Sequence, residues 1–198
     1  MKNFEAVRLW GLALNYWRLT RNASDELVKA GNPESMLYEG WGNPTDEERE
    51  EHFKWADTNI VEPLLFNFYH GIELSLKSLI AAKGIELKAS HKLSQLLSKF
   101  TSLYPNSELI EFYEKYIVLD KSPGILKTFC AESGITMDYF FQSLKYPSST
   151  KGVWFNHSTL RSHDKDGIEL FQDISNELDK VKAQFTTHIE AECIGQPA

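Results

Sequence analysis

Residues 57–99, DTNIVEPLLFNFYHGIELSLKSLIAAKGIELKASHKLSQLLSK, decide the fold. Asp57, Thr58 and Asn59 bring side-chain oxygens suited to capping a first helical turn, and Pro63 lies near enough to the start to be tolerated. Leu65, Phe66, Tyr69, Ile72, Leu76, Leu79 and Ile80 then recur at three-and-four spacing, the signature of a helix face. Leu64, Phe68 and Leu74 widen the stripe over much of the girth, so the expected helix is central, with neighbours on several sides. Gly84 after Lys83 reads as its exit. Ser90 is the expected N-cap of a second helix carrying Leu93, Leu96, Leu97 and Phe100, and the short link favours antiparallel neighbours.

Working outward, residues 3–20 read as an amphipathic helix with Phe4, Val7, Trp10, Leu14 and Trp17 on one side. Asn22–Ser24 offers a cap for a short continuation, ended by Gly31-Asn32-Pro33. Residues 31–44 are the most loop-like stretch, with Trp41 read as an anchor pinning it in preference to a lid over a cleft. Thr45-Asp46-Glu47-Glu48 is a capping-box sequence. Its helix either stops before Asp57 or runs on with a kink at Pro63. Helix 107–119 follows, then residues 125–145, which Ser133-Gly134 divides into two short helices. Residues 165–192 carry Ile168, Phe171, Ile174, Leu178, Val181, Phe185 and Ile189 as one stripe. The architecture expected is all-α: an antiparallel helical bundle in a single domain over 1–198. It comprises an extra N-terminal helix and loop (1–44), core helices (45–145), a loop (146–163) that permits a short β-hairpin, and a C-terminal helix (164–194).

Composition bounds the function. An apolar content of 42% and a charged content of 25% are those of a globular protein. No apolar run approaches the roughly 18 residues of a membrane span, so no membrane partner is expected. Two distant cysteines, Cys130 and Cys193, and no leader-like N-terminus point to a reducing cytoplasm. A net charge of −7 argues against broad, nonspecific nucleic-acid binding. Charge is nevertheless segregated. Residues 39–62 set eight acids against Arg49 and Lys54, and residues 77–99 set five lysines against Glu86. Solvated helix faces or a basic landing site for phosphate both account for this.

Two groups of residues suit ligand chemistry. His70, Glu73 and Lys77 share one quadrant of the central helix, as a structural ion pair or as a polar slot for a phosphate or nucleotide. The 146–163 loop, with Lys145 just before it, gathers Tyr146, Lys151, Trp154, Asn156, His157, Arg161 and His163. It reads as an ordered loop with Trp154 and Phe155 in the core, or as an anion-binding loop with a base-stacking tryptophan. No metal-ligand spacing, Gly-rich phosphate loop or nucleophile elbow occurs, and neither a metal nor a cofactor is expected.

The run Phe68-Tyr69-His70-Gly71-Ile72-Glu73-Leu74-Ser75-Leu76-Lys77-Ser78-Leu79-Ile80, with Lys83-Gly84 and then Ser90-His91-Lys92-Leu93, resembles the HEPN superfamily. That family's helix reads E-L-x-L-K-x-L-L and precedes an H-x-L helix start. The resemblance covers about 35 residues and implies a compact bundle, commonly homodimeric. Many relatives are metal-independent ribonucleases of defence or toxin systems that carry an R-x4–6-H motif. None of Arg8, Arg18, Arg21, Arg49 and Arg161 has a histidine at that spacing. The resemblance therefore implies a non-catalytic, homodimeric bundle binding a nucleotide, RNA or protein partner in a phage-defence or stress system. The alternative is a divergent endoribonuclease, with His157 as general base and Lys145 stabilising the phosphorane.

Overall fold

A computed structural model describes residues 2–32, 42–86, 90–161 and 165–193. Trp41, His163 and the tail beyond Cys193 lie outside the described residues. The order is α1 (Lys2–Ala30), α2 (Asp46–Phe53), α3 (Asp57–Ala82), α4 (Leu93–Leu103), α5 (Leu109–Ile117), α6 (Gly124–Glu132), α7 (Met137–Ser143) and α8 (Lys165–Cys193). Short 3-10 turns at Leu119–Lys121 and His157–Leu160 complete the described elements. The fold is all-α.

The α3 helix is the central rod. Every residue from Gly71 to Leu76 is buried. Six consecutive residues at 3.6 per turn cover the whole circumference, so neighbours enclose the helix on all sides. Those neighbours are α1, α4, α7 and α8. Against α1 the approach is close because the contact side chains are small: Ala6 and Ala13 are buried on α1, and Ser78 Oγ donates to the Ala6 carbonyl at 2.8 Å. A Cβ placed on Gly71 would lie 2.4 Å from the Trp17 ring, so glycine there makes room for the indole. Tyrosine hydroxyls tie α3 to the next layer. Tyr69 donates to the Tyr116 carbonyl (3.0 Å), Tyr113 to Ser75 Oγ (2.9 Å) and Tyr104 to the Leu79 carbonyl (2.9 Å). Each buried phenol thereby keeps a partner.

Two helix limits, in α1 and α4, differ from those the sequence suggests, and at the start of α3 one of its two alternatives is realised. The α1 helix runs unbroken through Asn22–Ser24, because Ser24 is buried in its packed face instead of turning outward to cap. The α3 helix starts afresh at Asp57, so Pro63 sits in its second turn. The Asp57 amide donates to Asn32 Oδ1 (2.8 Å), and Asn32 Nδ2 returns a bond to Asp57 Oδ2 (2.9 Å). The α4 helix starts at Leu93, not directly after Ser90, whose hydroxyl bonds Gln95 Oε1 (2.8 Å). Its first-turn donor, the Ser94 amide, is taken by Asp138 Oδ1 of α7 at 2.8 Å. The expected capping box at Thr45 and Glu48 and the division between α6 and α7 are both present.

Candidate functional site

His70, Glu73 and Lys77 project from one ridge of α3, as spacings of three and four require. Glu73 is buried, and its Oε1 accepts from Lys77 Nζ at 2.6 Å and from His91 Nδ1 at 2.8 Å. A carboxylate only accepts, so His91 carries its proton on Nδ1 toward Glu73 and presents Nε2 outward. The His91 side chain is 63% exposed. The second oxygen, Oε2, faces His70 Nδ1 at 3.9 Å and has no hydrogen-bond partner.

Aromatic rings pack around His70. His70 stacks on Phe66 and Phe141 (both 5.8 Å between centroids), and Tyr16 of α1 meets it edge-on at 4.5 Å. Lys145, just beyond α7, places Nζ 4.2 Å from the centre of the Phe141 ring. Burial holds the His70 imidazole below its ordinary pKa. Glu73 pulls the other way, and Lys145, Lys77 and His91 add to the depression. Glu73 thus contacts the Lys77 ammonium group and the His91 imidazole directly and the His70 imidazole at 3.9 Å, while Lys145 acts on His70 from the other side of the aromatic rings.

The loop after α7 divides into two kinds of residue. The Ser149 amide donates to the Val153 carbonyl (2.8 Å) and the Phe155 amide to the Pro147 carbonyl (3.0 Å), around one isolated Ser148–Trp154 bridge. This is a hairpin-like turn and no strand. Phe155 packs against the core, whereas Trp154 is 74% exposed and Tyr146 is also exposed. Asn156, Arg161 and His157 are held by the protein. Asn156 Nδ2 donates to Glu132 Oε2 (2.5 Å), and Arg161 donates to Glu62 Oε1 (2.6 Å). His157 Nε2 donates to the Ser143 carbonyl (2.8 Å) while its ring leans on Phe129.

The structure therefore brings together His70, Glu73, Lys77 and Lys145, and adds His91. His157, Asn156 and Arg161 are engaged with other neighbours, and Tyr146 and Trp154 stand on the exposed turn. His91 was legible only as part of the helix-start motif. Its place in the slot depends on the chain folding back across 18 residues. Phe66 and Phe141 read as bundle packing, Tyr16 lies off the stripe read on the first helix, and nothing in their spacing marks them as partners of His70. Cys130 is buried against Met137 (3.5 Å), and burial pushes its thiol up to about 11, as suits packing. Among the described residues no group of histidine, cysteine, aspartate and glutamate has the arrangement of a metal site.

Residues 47–123 match the HEPN domain family. The match begins in α2 and ends just before α6, so it contains the ridge residues and His91. The HEPN match leaves α1, Lys145, the aromatic turn and α8 outside. It supports the resemblance drawn from the α3 sequence. No curated protein and no solved structure matches the chain. No helix among the described residues is long and apolar enough to cross a membrane.

Proposed function

We propose that this protein is a homodimeric HEPN-like binding module whose α3 slot takes a phosphate-bearing ligand, a nucleotide or single-stranded RNA. The observation that carries this is Glu73: a buried carboxylate that serves Lys77 and His91 with one oxygen, while the other has no hydrogen-bond partner. A buried ion pair adds little stability over apolar residues of similar volume, so stability alone is a weak reason to keep it. A slot that must hold charged groups in fixed positions is a better one. Lys145 is its exposed ammonium group and His91 its exposed imidazole, and exposed stacking faces are offered by Tyr146, next to Lys145 in the chain, and by Trp154 on the following turn.

Fluorescence polarisation with labelled single-stranded RNA, and thermal shift with nucleotides at millimolar concentration, test this reading. Binding should weaken at least about fivefold in Lys145→Ala and His91→Ala, both exposed positions, and should fall with rising salt. The absence of both binding and a thermal shift with all of these ligands removes the reading.

The Glu73–His91 contact favours a second reading, RNA cleavage. His91 Nε2 would take the proton of a ribose 2′-hydroxyl, and O2′ would attack the adjacent phosphorus. The P–O5′ bond then breaks as the 5′-oxygen takes a proton from water, and the product is a 2′,3′-cyclic phosphate. Lys145 would stabilise the charged phosphorane. We place the base at His91 because His157 already spends Nε2 on the Ser143 carbonyl. Labelled RNA incubated in EDTA separates the two readings. Cleavage abolished by His91→Ala but not by His157→Ala supports catalysis at the slot. The opposite pattern returns the role to the Lys145–His157 pair, and absence of cleavage leaves binding as the function.

A further inference from the structure

The outward side of α7 and the turn after it enclose a groove that shares no lining residue with the α3 slot. Tyr139, Gln142 and Tyr146 fall at i, i+3 and i+7, so they share one side of α7 and its continuation. Phe140 and Phe141 are buried on the other side. Ile135, Thr150 and Phe155 help to close the groove, which holds about 500 Å³, a volume within the range of small-ligand sites. Its far wall is fixed in place. The Phe155 amide donates to the Pro147 carbonyl (3.0 Å), and the Asn156 amide to Ser133 Oγ at the end of α6 (3.0 Å). Tyr139 and Tyr146 are each 60% exposed, and neither joins the hydrophobic core.

Charge sets the groove apart from its rim. Among the described residues no charged side chain lines it, and its polar groups are amide and hydroxyl, from Gln142 and Thr150 among others. Lys145 precedes Tyr146 in the chain and Lys151 follows Thr150, and both are exposed. Neither ammonium group has a carboxylate partner among the described residues. An uncharged aromatic seat with an unpaired cation beside each wall is complementary to a neutral planar group flanked by anions. An internal nucleotide of a single strand has that form, one base between its 5′ and 3′ phosphates. In a duplex the same base is already paired and stacked.

We infer that this groove seats one unpaired base of a single-stranded RNA against the Tyr139 and Tyr146 rings. Gln142 hydrogen-bonds the base edge, and the flanking phosphates lie at Lys145 and Lys151. This rests on the ligand class of the proposed function and selects the strand over the free nucleotide, because a mononucleotide offers phosphate on one side only. The groove lies outside the HEPN-matched segment, 47–123.

Fluorescence polarisation with a labelled RNA of roughly 12 nucleotides, and with an abasic strand of the same length, tests this over about 50–200 mM salt. The wild type is measured beside Tyr139→Leu, Lys151→Ala and, for the α3 slot, His91→Ala. Tyr139→Leu keeps an apolar wall at an exposed position and should keep its helical circular dichroism. It should weaken RNA binding at least about fivefold at every salt concentration without changing the salt dependence, and leave the abasic strand unaffected. Lys151→Ala should instead lower the slope of log K against log salt by about 0.7 for both strands. Equal wild-type affinity for RNA and abasic strand overturns the groove. So does a Tyr139→Leu protein that binds RNA as tightly as the wild type; loss in His91→Ala then leaves the α3 slot standing alone. Loss in Tyr139→Leu but not in His91→Ala keeps the groove and removes the slot, and a wild type that binds no RNA removes both. A wild-type dimer that Tyr139→Leu dissociates in sedimentation, with RNA affinity unchanged, assigns the groove to a second copy of the chain instead.

Discussion

Replacing Glu73 alone should harm the protein far more than replacing Glu73 and Lys77 together. In the native slot Lys77 Nζ lies 2.6 Å from Glu73 Oε1, with side chains 13% and 3% exposed. Glu73→Met keeps the volume but strands the ammonium group over an apolar floor. Breaking a buried pair from one side costs about 3–5 kcal/mol. Lys77 can partly reach water by extending its stem, which argues for the lower end, about 3 kcal/mol. At roughly 2–4 °C per kcal/mol for a chain of this size, Tm should fall by about 6–12 °C. In Glu73→Met/Lys77→Met neither charge remains, and stability should return to within about 1 kcal/mol of wild type. Urea unfolding of the two single variants and the double variant, followed by circular dichroism, gives the coupling energy directly. Two results refute the reasoning: a Glu73→Met variant as stable as wild type, or a double variant whose loss equals the sum of the singles. Ligand binding in the double variant adds a functional readout, since recovered stability with lost binding is the pattern expected of a slot kept for its ligand.

Other outcomes follow from the same contacts. His70 and His188 both have pKa values pushed below 6.5 by burial. The unfolded chain then binds more protons than the folded one, so their contribution to stability is full above pH 6.5 and is lost as pH falls through the folded values. The slope of unfolding free energy between pH 6.5 and 5 should be shallower in His70→Asn/His188→Asn, by up to about 1.4 kcal/mol per pH unit for each proton. An unchanged slope rules this out. Asp138→Ala removes the acceptor for the Ser94 amide and hydroxyl (2.8 and 2.6 Å). It should cost about 1 kcal/mol, as losing a helix cap does, with hydrogen exchange rising first at the start of α4. Gly71→Ala should destabilise despite alanine's better helix propensity, because its Cβ meets the Trp17 ring at 2.4 Å. Overpacking costs about 1–3 kcal/mol against a propensity gain of about 1 kcal/mol. Trp17→Phe combined with it should recover part of the loss.

What could be read from the chain, and what could not, follows from where each side chain finds its partner. Leu65, Tyr69, Ile72, Leu76 and Leu79 report their burial through periodicity alone, because a helix face is a local property, and α3 was legible for that reason. The stripe on α8 was legible on the same ground. Helix starts were less so, because here the capping groups come from elsewhere in the chain. Asn32 holds the α3 start from 25 residues away, and Asp138 holds the α4 start from 44 residues away. Ser90 and Asn22–Ser24 are good local caps, yet packing gave those positions other work. The site obeys the same division. His70, Glu73 and Lys77 declared themselves because they lie on one helix ridge, and their meaning as a slot needed His91 and Lys145, which arrive on two separate segments. That also explains why His157 stood out in the sequence: it sits in a loop rich in polar and aromatic residues, and only the fold shows its ring turned inward to Ser143 and Phe129. A polar residue's type says what chemistry it can do, whereas the spatial closure of the chain decides whether that chemistry faces a ligand or the protein itself.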